Sequence, residues 1–392
     1  MKDSILIIGA GGMARAIAYD LLNFTPKHKV TLLDRDQAAL DRLAEYLGTG
    51  DVKYVKGEAT DRELLRSLMK TASAAIGASS YKLHFDACEA AIESGTHWVD
   101  LGGNPTVVQK QFALHEKALA AGVGVVPDSG LAPGFINVVG GYIASQLDQI
   151  DELHFRVGGL PQNPEPPLFY GLVFSPEGLA NEYHEPAWVI ENGDIKTVES
   201  LTGWERIYFG APNGTLEAFH TAGGSSTMVE TFKGRVKALD YKTLRYPGHL
   251  RMIKLLGDIG FWSESVVNVK QASGGDVETS KFVDVAPRDV LGALLMRKGY
   301  VTDDLVALMA WGIGTKDGKP LRVEVKMLDY SEEATGLTAM ARTTGFPATL
   351  VARMLVEGTI RERGVLRQEG SVPAEAMFEA LAIRGVKVEV GS

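Results

Sequence analysis

The sequence predicts a two-domain α/β protein in which a doubly wound parallel sheet is followed by an α+β domain with a mixed or antiparallel sheet. Short apolar runs alternate with amphipathic stretches through about the first 130 residues. From about residue 150 the chain becomes strand-rich and irregular. At 392 residues it is also too long for one hydrophobic core of ordinary size and about right for two domains.

Six short runs in the first part are apolar on both faces, which is typical of strands in a parallel sheet that helices cover on each side. They are residues 5–8, 30–33, 52–55, 74–76, 98–101 and 123–126. Amphipathic helices are predicted between them, at residues 13–22, 37–47, 62–69, 84–94 and 107–121. Asp36 and Thr60 stand where helix N-caps are expected. Alternating strands and helices imply right-handed crossovers and a doubly wound sheet.

The second part carries hairpin signals instead. The tetrapeptides at 191–194 (Glu-Asn-Gly-Asp) and 316–319 (Lys-Asp-Gly-Lys) are each flanked by apolar runs, a pattern typical of β-hairpins. A proline cluster occupies residues 161–167, and helices are predicted at 249–256 and 287–297. We interpret this part as an α+β domain.

The C-terminal part is expected to return to the first domain. Pro347 is placed as the first residue of a helix, where its fixed φ and missing N–H are tolerated. An apolar stripe follows it, at Ala348, Val351, Met354 and Leu355. We therefore divide the chain into residues 1–134, 135–336 and a C-terminal helical segment, 337–392, that packs back on the first domain.

Composition and charge limit the classes of function. Hydrophobic residues make up 45% of the chain and charged residues 23%, as in globular proteins. The net charge of −9 argues against a nucleic-acid partner, because binding to phosphate backbones calls for a basic surface. No apolar run reaches the roughly 18 to 20 residues that span a bilayer, and the first residues lack the features of a signal peptide. We expect a cytoplasmic protein that binds neither nucleic acid nor membranes.

Metal and thiol chemistry are also disfavoured. The single cysteine, Cys88, repeats with Phe85, Ala91 and Ile92 at helical spacing, so we place it on a buried helix face. The sequence contains no H-E-x-x-H or C-x-x-C motif, and its histidines show no i,i+4 pairing. We therefore expect no metal site.

The strongest local signal is a G-x-G-x-x-A loop directly after the first predicted strand. Gly9 permits the tight turn, Gly11 lets the backbone approach a diphosphate, and Ala14 is small enough for the helix to pack on the strand. Gly12 and Met13 open that helix, whose N-terminal N–H groups and dipole favour a negative charge. Because the loop begins a βαβ unit, we interpret the first domain as a Rossmann dinucleotide-binding domain.

The end of the second predicted strand bears on the choice of cofactor. Asp34 lies there, about 20 residues beyond the glycines, where a carboxylate accepts both ribose hydroxyls and repels a 2′-phosphate. This favours NAD over NADP. Arg35 is the counter-argument, because a guanidinium at that corner can hold a 2′-phosphate. Glu58, after the third strand, either lines the adenine edge or is an ordinary solvated carboxylate.

Two further turns lie at the carboxyl ends of predicted strands, where open α/β sheets bind their ligands. One spans residues 78–80 and the other residues 100–103. Glycines in such turns are equally consistent with a purely steric role. The cofactor contacts that we expect from these turns are Ala78, Ser79, Leu101 and Gly102.

After the sixth predicted strand, residues 128–134 read Asp-Ser-Gly-Leu-Ala-Pro-Gly. With the glycine loop and the turn at 100–103, this segment resembles the saccharopine-dehydrogenase-like superfamily. Blocks of the second domain narrow the resemblance to the NAD-dependent lysine 6-dehydrogenases. They lie, in order, at residues 165–168, 173–175, 217–227, 241–249 and 338–344.

The resemblance covers most of the chain up to about residue 256 and is looser between 257 and 336, which bears on pocket shape and substrate. Glu58 stands where relatives tend to carry Asp. The resemblance implies oxidative deamination of L-lysine at its ε-carbon, with NAD⁺ taking the hydride. The product would be 2-aminoadipate 6-semialdehyde, which can cyclise to piperideine carboxylate. The ε-amine, with a reference pKa near 10.4, must lose a proton before hydride leaves.

Five residues are candidates for this chemistry. His220 and His249 lie in the two densest blocks, and one of them, with His220 slightly ahead, is assigned as general base or water activator; each is about as often a structural histidine. Arg245 is the candidate clamp for the substrate carboxylate, or else part of a salt bridge. Tyr170 either hydrogen-bonds the amine or packs in the core. Asp128 either stabilises developing iminium charge near the nicotinamide or caps a helix.

Two other functions stay open. One is a saccharopine-type or carboxynorspermidine-type reductase, which joins an amine to a carbonyl with NAD(P)H. It would need more carboxylate-binding cations in the second domain, where Arg206, Arg235, Arg245 and Arg251 are available. The other is a non-catalytic NAD-binding sensor, which binds cofactor without turning over any amine. In each case the small-molecule partner is an amino acid or amine. We also expect a homodimer or homotetramer, because strand-rich domains offer edges and faces for subunit contact.

Overall fold

The computed structural model describes residues 4–48, 50–270 and 282–391, and its first part alternates strands and helices as expected. All six predicted strands are present. They are β1 (Ser4–Ile8), β2 (Lys29–Asp34), β3 (Val52–Lys56), β4 (Ala72–Gly77), β5 (His97–Asp100) and β6 (Gly124–Val126). The helices between them are α1 (Gly12–Asn23), α2 (Gln37–Leu47), α3 (Arg62–Met69), α4 (His84–Glu93), α5 (Pro105–Phe112) and α6 (His115–Ala120).

Two local predictions need correction in this part. The single helix expected at 107–121 is the pair α5 and α6, and the break between them lets Leu114 pack into the core. Asp36 caps α2 as predicted. The N-cap of α3, however, is Asp61 rather than Thr60, because the Asp61 carboxylate accepts hydrogen bonds from two N–H groups of the first turn.

The second part is strand-rich and contains both predicted hairpins. Its helices are α7 (Phe135–Ser145), α8 (Pro176–His184), α9 (Met228–Phe232), α10 (His249–Asp258) and α11 (Pro287–Met296). Its strands are β7 (Gln149–Pro161), β8 (Ala187–Glu191), β9 (Asp194–Val198), β10 (Glu205–Gly210), β11 (Gly214–His220), β12 (Ala238–Arg245), β13 (Val267–Lys270), β14 (Phe282–Val285), β15 (Asp304–Lys316) and β16 (Lys319–Tyr330). The predicted turns at 191–194 and 316–319 join β8 to β9 and β15 to β16.

The C-terminal part contains α12 (Ala339–Glu357), β17 (Gly364–Val365), α13 (Gln368–Ser371), α14 (Ala374–Ile383) and β18 (Val388–Gly391). Pro347 lies inside α12, so its assignment as a first helical residue is wrong. The helix begins earlier because the Thr338 side chain and the Asp304 carboxylate accept hydrogen bonds from its first N–H groups.

The fold class is confirmed by the pairing of the strands. Within the described residues, the first sheet is parallel in the order β17-β6-β5-β4-β1-β2-β3, so the C-terminal segment does return to complete it. The second sheet runs β10-β11-β12-β7-β15-β16-β18, and β8 and β9 branch from β12. It is mixed, because β12 pairs parallel with β7 while its other pairs are antiparallel. The last strand, β18, thus joins the second sheet rather than the first domain.

One hydrophobic core runs through both sheets. Ile7 of β1, Phe135 of α7 and Phe346 of α12 belong to the same buried cluster as Leu308 of β15. Burial of this kind holds the two sheets in a fixed relation, with the carboxyl ends of β1, β4, β5 and β6 directed at the second sheet. In the part of the chain that the structure describes, no helix combines the length and apolarity needed to cross a membrane.

Candidate active site

The glycine loop after β1 forms an anion cradle. Gly9 has φ +116°, and a Cβ there would stand 2.5 Å from the carbonyl oxygen of Ala78, so only glycine fits. A Cβ on Gly11 or Gly12 would instead project into open space. The first N–H groups of α1 have no side-chain cap and face the cleft. This arrangement fits a diphosphate at the N-terminus of α1.

The other loop residues lie where the motif predicts. Met13 lines the cleft and Ala14 is fully buried against the sheet. At the end of β2, Asp34 accepts a hydrogen bond from the Ala10 N–H at 2.7 Å. Its carboxylate therefore ties the glycine loop to the corner where a ribose would lie. Arg35 and Glu58 are both exposed.

A cleft of about 1220 Å³ separates the carboxyl edge of the first sheet from the second sheet. The predicted cofactor residues Ala78, Ser79, Leu101 and Gly102 all line it. The Ser79 hydroxyl is buried and has no hydrogen-bond partner among the described residues. An unsatisfied hydroxyl at this position is a further sign that a polar ligand belongs in the cleft.

Asp128 lies in the same cleft, directly after β6. Its Oδ2 accepts a hydrogen bond from the Ser226 hydroxyl at 2.6 Å, and its Oδ1 has no partner among the described residues. The side chain is only 6% exposed. Burial, together with the negative charge of Asp100, raises the pKa of Asp128 to about 7, although the hydrogen bond from Ser226 opposes the shift. The group can therefore gain or lose a proton near neutral pH.

Asp100, at the end of β5, holds the backbone around Asp128. Its buried carboxylate accepts hydrogen bonds from the Gly102 N–H at 2.9 Å and the Asp128 N–H at 3.2 Å. The side chains of Trp98 and Gln111 donate to the same carboxylate, at 2.8 and 2.6 Å. The turn at 100–103 is thus fixed by its own first residue, and Asp128 is held beside it.

The second-domain wall of the cleft is built on β12. Tyr241, Thr243 and Arg245 alternate along this strand and line the cleft. The Arg245 guanidinium, 2% exposed, donates to the Tyr183 hydroxyl and to the Leu244 carbonyl, both at 2.9 Å. Its position fits the predicted role as a carboxylate clamp.

Glu182, on α8, faces the same guanidinium. The distance from Arg245 Nη2 to Glu182 Oε2 is 3.7 Å. Burial raises the pKa of Glu182 to about 7, and the charge of Arg245 opposes that shift. Sequence reasoning missed this residue, because α8 carries no motif; Ser226 was within a motif block but was not singled out.

The two candidate histidines do not line the cleft. His249 is fully buried behind Arg245: its Nδ1 is 2.7 Å from the Leu168 carbonyl and its Nε2 is 2.9 Å from the Tyr183 hydroxyl. Burial and the nearby Arg245 charge lower the pKa of His249 to about 3. The ring is therefore neutral, donates to Leu168 and accepts from Tyr183, and so supports the residue that positions Arg245.

His220 lies on the opposite face of the second sheet. It pairs with Lys242 on β12, and residues of one strand alternate between the two faces, so its ring is on the side away from Thr243 and Arg245. Its Nδ1 is 3.4 Å from the Tyr241 carbonyl, and burial lowers its pKa. The placement of both rings argues against a histidine as the base.

Tyr170 packs beside Arg245, in line with the packing role that the sequence left open for it. Its ring packs 4.6 Å from the Arg245 guanidinium and 5.2 Å from the His249 ring. It does not line the cleft. A cation over an aromatic face is a stabilising contact, so Tyr170 supports the guanidinium.

Comparison with known proteins covers nearly the whole chain. Residues 5–126 match the saccharopine dehydrogenase NADP binding domain, and residues 130–386 match the saccharopine dehydrogenase C-terminal domain. The chain is 23% identical to the NADP⁺-dependent, L-glutamate-forming saccharopine dehydrogenase of Saccharomyces cerevisiae, over 93% of this chain and 94% of that one. It is also 23% identical to carboxynorspermidine synthase of Vibrio cholerae, over 93% and 92%.

A solved structure shares the fold. The apo form of the L-glutamate-forming saccharopine dehydrogenase from Saccharomyces cerevisiae superimposes with a TM-score of 0.78 and covers 100% of both chains. Its sequence identity to this chain is 19%. The likeness therefore extends through both sheets and the C-terminal segment.

Proposed function

Because the chain belongs to the saccharopine dehydrogenase family, we propose that it is an NAD-dependent dehydrogenase that oxidatively deaminates the ε-amino group of L-lysine. The products are 2-aminoadipate 6-semialdehyde, NADH and ammonia. Family membership supports the coarser part of this proposal, an oxidoreductase with an NAD(P)-binding domain that acts on an amino acid or amine. The choice of lysine rests on the charges that line the cleft.

The observation that carries this choice is the excess of carboxylates over cations among the lining residues, which persists although Glu177 pairs with Lys82 at 2.7 Å. The carboxylates that line the cleft are Asp128, Glu177, Glu182, Glu185 and Glu230. The lining cations are Arg15, Arg245 and Arg367. Arg367 pairs with Glu230 at 2.6 Å, and Arg15 donates to a backbone carbonyl. This leaves Arg245 to receive a substrate carboxylate.

Such a cleft favours a substrate with two amines and one carboxylate. Saccharopine carries three carboxylates and would meet repulsion from the acidic lining. Three of the arginines that a saccharopine-type reaction could have used, Arg206, Arg235 and Arg251, are exposed and do not line the cleft. Lysine, which bears one more amine than carboxylate, has the complementary charge.

The chain's own residues supply binding and proton transfer. The nicotinamide, when bound, accepts the hydride from the ε-carbon. Asp128 lies at the carboxyl end of β6, beside the turn at 100–103, and lines the cleft. We assign it as the proton acceptor for the ε-amine. Once ionised, its carboxylate also favours the positive charge that develops on that nitrogen. Ser226 donates to this carboxylate, and Asp100 holds the backbone N–H of Asp128.

The preference for NAD rests on Asp34. Its carboxylate, held by the Ala10 N–H, lies at the corner that meets the adenosine ribose, where it disfavours a 2′-phosphate. The family model and the yeast relative are described by NADP, so the preference is tested directly. We expect Asp34→Ala to raise the KM for NAD⁺ at least tenfold with little change in kcat at saturating cofactor. Asp41→Ala, an exposed carboxylate on α2, is the matched control.

The main test measures NADH formation at alkaline pH with L-lysine and NAD⁺. Ornithine, diamines and saccharopine are compared in parallel, and NADP⁺ replaces NAD⁺ in a second series. Lysine-dependent NADH with release of ammonia is the expected result. Activity on saccharopine but not on lysine would replace the proposal by the reductase alternative. Cofactor binding without turnover of any amine would favour the sensor.

A further inference from the structure

We propose that Arg245 and Glu182 form one receptor for the α-amino-acid head of the substrate, with Arg245 binding the carboxylate and Glu182 the α-ammonium group. This rests on the proposed function and deepens it, because it makes the substrate an α-amino acid with a distal amine rather than a simple diamine. The two side chains lie on different elements, β12 and α8, and meet in the second-domain wall of the cleft.

The geometry leaves both groups available. The Nε of Arg245 donates to the Tyr183 hydroxyl, and its Nη1 donates to the Leu244 carbonyl. Its Nη2 makes no hydrogen bond to any described residue and lies 3.7 Å from Glu182 Oε2, beyond hydrogen-bond distance. A carboxylate can therefore bind Nη2 without displacing the contacts that hold the guanidinium.

Glu182 has less support than its partner. Its side chain is 25% exposed, and among the described residues the ion pair with Arg245 is the one that its carboxylate makes. The backbone is fixed, since the Glu182 carbonyl accepts a hydrogen bond from the Ala222 N–H at 2.9 Å. A largely buried carboxylate whose single cation is 3.7 Å away is incompletely neutralised. An α-ammonium group supplies that charge and three hydrogen-bond donors.

The spacing of the two groups matches an amino-acid head. In an α-amino acid the ammonium and carboxylate groups are attached to the same carbon, so their receptors must be neighbours, as Glu182 and Arg245 are. Asp128 belongs to the opposite wall, on the first domain. A substrate whose head is held by this receptor can extend its side chain across the cleft and present its far end to the cofactor.

The experiment compares ligands that each lack one group. L-Norleucine keeps the α-amino-acid head but lacks the ε-amine, 6-aminohexanoate lacks the α-amine, and 1,5-diaminopentane lacks the carboxylate. Binding of L-norleucine is measured by calorimetry in the presence of NAD⁺. The value of kcat/KM is measured for L-lysine, 6-aminohexanoate and 1,5-diaminopentane. The variants are Glu182→Gln and Arg245→Gln, with Glu199→Gln, an exposed glutamate of the same domain that does not line the cleft, as the matched control.

We expect Glu182→Gln to weaken L-norleucine binding and to lower kcat/KM for lysine at least tenfold, while kcat/KM for 6-aminohexanoate changes less than threefold. Arg245→Gln should lower kcat/KM for lysine and for 6-aminohexanoate but leave kcat/KM for 1,5-diaminopentane unchanged. An equal decrease in kcat/KM for lysine and for 6-aminohexanoate in Glu182→Gln would overturn the inference. Failure of L-norleucine to bind the unaltered protein would also overturn it. Norleucine binding that depends on both residues, without oxidation of lysine, would instead defeat the proposed function and keep the receptor.

Discussion

Asp128 combines a buried carboxylate with a single side-chain donor, and that combination has a consequence for stability as well as for catalysis. The pKa of the folded state is about 7, raised first by burial, against 3.8 for an exposed aspartate. The folded protein therefore holds this proton more tightly than the unfolded chain does. The favourable contribution is fully present below pH 3.8 and is lost as the pH rises through 7.

We expect Asp128→Asn to stabilise the protein relative to the unaltered chain, and by more at pH 8 than at pH 5, because the contribution of the protonated side chain is lost progressively between pH 3.8 and 7. The upper limit of the gain is about 4 kcal/mol, from a shift of roughly three pKa units. Urea unfolding at the two pH values measures it, with Asp41→Asn on the exposed face of α2 as control. The same variant should lower kcat by roughly 10²-fold or more if Asp128 accepts the proton. An equal gain in unfolding free energy at pH 5 and pH 8 would contradict the stability argument.

The geometry of the glycine loop could be predicted from the sequence, whereas the placement of the two histidines outside the cleft could not, and the reason is physical. Gly9, Gly11 and Ala14 act through local backbone geometry that a short motif specifies completely. His220 depends instead on the register of β11 against β12, where Glu217 pairs with Arg245 and His220 with Lys242. A change of one residue in that register exchanges the two faces of the sheet, and no local pattern in the sequence reveals it.

The two histidines should respond differently to substitution. We expect His220→Ala to leave kcat and the KM for lysine within about twofold, since its ring lies away from the cleft. His249→Ala removes the hydrogen bonds to Leu168 and Tyr183, so Arg245 loses part of its support. It should destabilise the fold by about 2 to 4 kcal/mol and raise KM more than it lowers kcat. Steady-state kinetics and thermal unfolding measure both; a loss of kcat in His220→Ala alone would restore the original base assignment.

Among the secondary-structure elements, α12 does most to join the parts of the chain. It packs against α1 and approaches β4 and β5, while β17, which follows it, completes the first sheet beside β6. The sequence predicted that this segment returns, because its apolar stripe needs a partner. It did not reveal β17, whose two residues are too few for any periodicity, nor the helix start at Ala339, which depends on the distant Asp304 carboxylate.

A buried ion triad connects α1 and α12 to Arg384, the residue that follows α14. Asp20 is fully buried and pairs with Arg353 at 3.2 Å and with Arg384, whose guanidinium also donates to it. We expect Asp20→Asn to cost about 3 to 5 kcal/mol, because two arginines would be left in the interior without their shared partner. Asp148→Asn, which breaks the exposed pair with Lys316, should cost less than about 1 kcal/mol. Urea unfolding at pH 7 compares the two, and equal effects would mean that the triad does not bear on stability.

For the molecule as a whole, the uncovered apolar surface bears on assembly. The paired strands β13 and β14 expose Val267 and Phe282, and α10 and α11 expose Leu255 and Leu294. A two-stranded sheet is marginally stable when nothing packs on it. Exposed apolar side chains of this size are common at subunit interfaces. The expected occupant is a second copy of the chain, in line with the predicted homodimer or homotetramer.

Light scattering should therefore give a mass of at least twice the 42.2 kDa of one chain. Leu294→Asp, on the exposed side of α11, should shift the protein toward a single chain, because it places a charge in a surface that association would bury. Leu294 does not line the cleft, so binding of NAD⁺ by that variant serves as a check that the fold is intact. A single-chain mass for the unaltered protein at micromolar concentration would rule the assembly out. Retention of the larger mass by Leu294→Asp would instead move the interface to another surface, such as the open face of the second sheet.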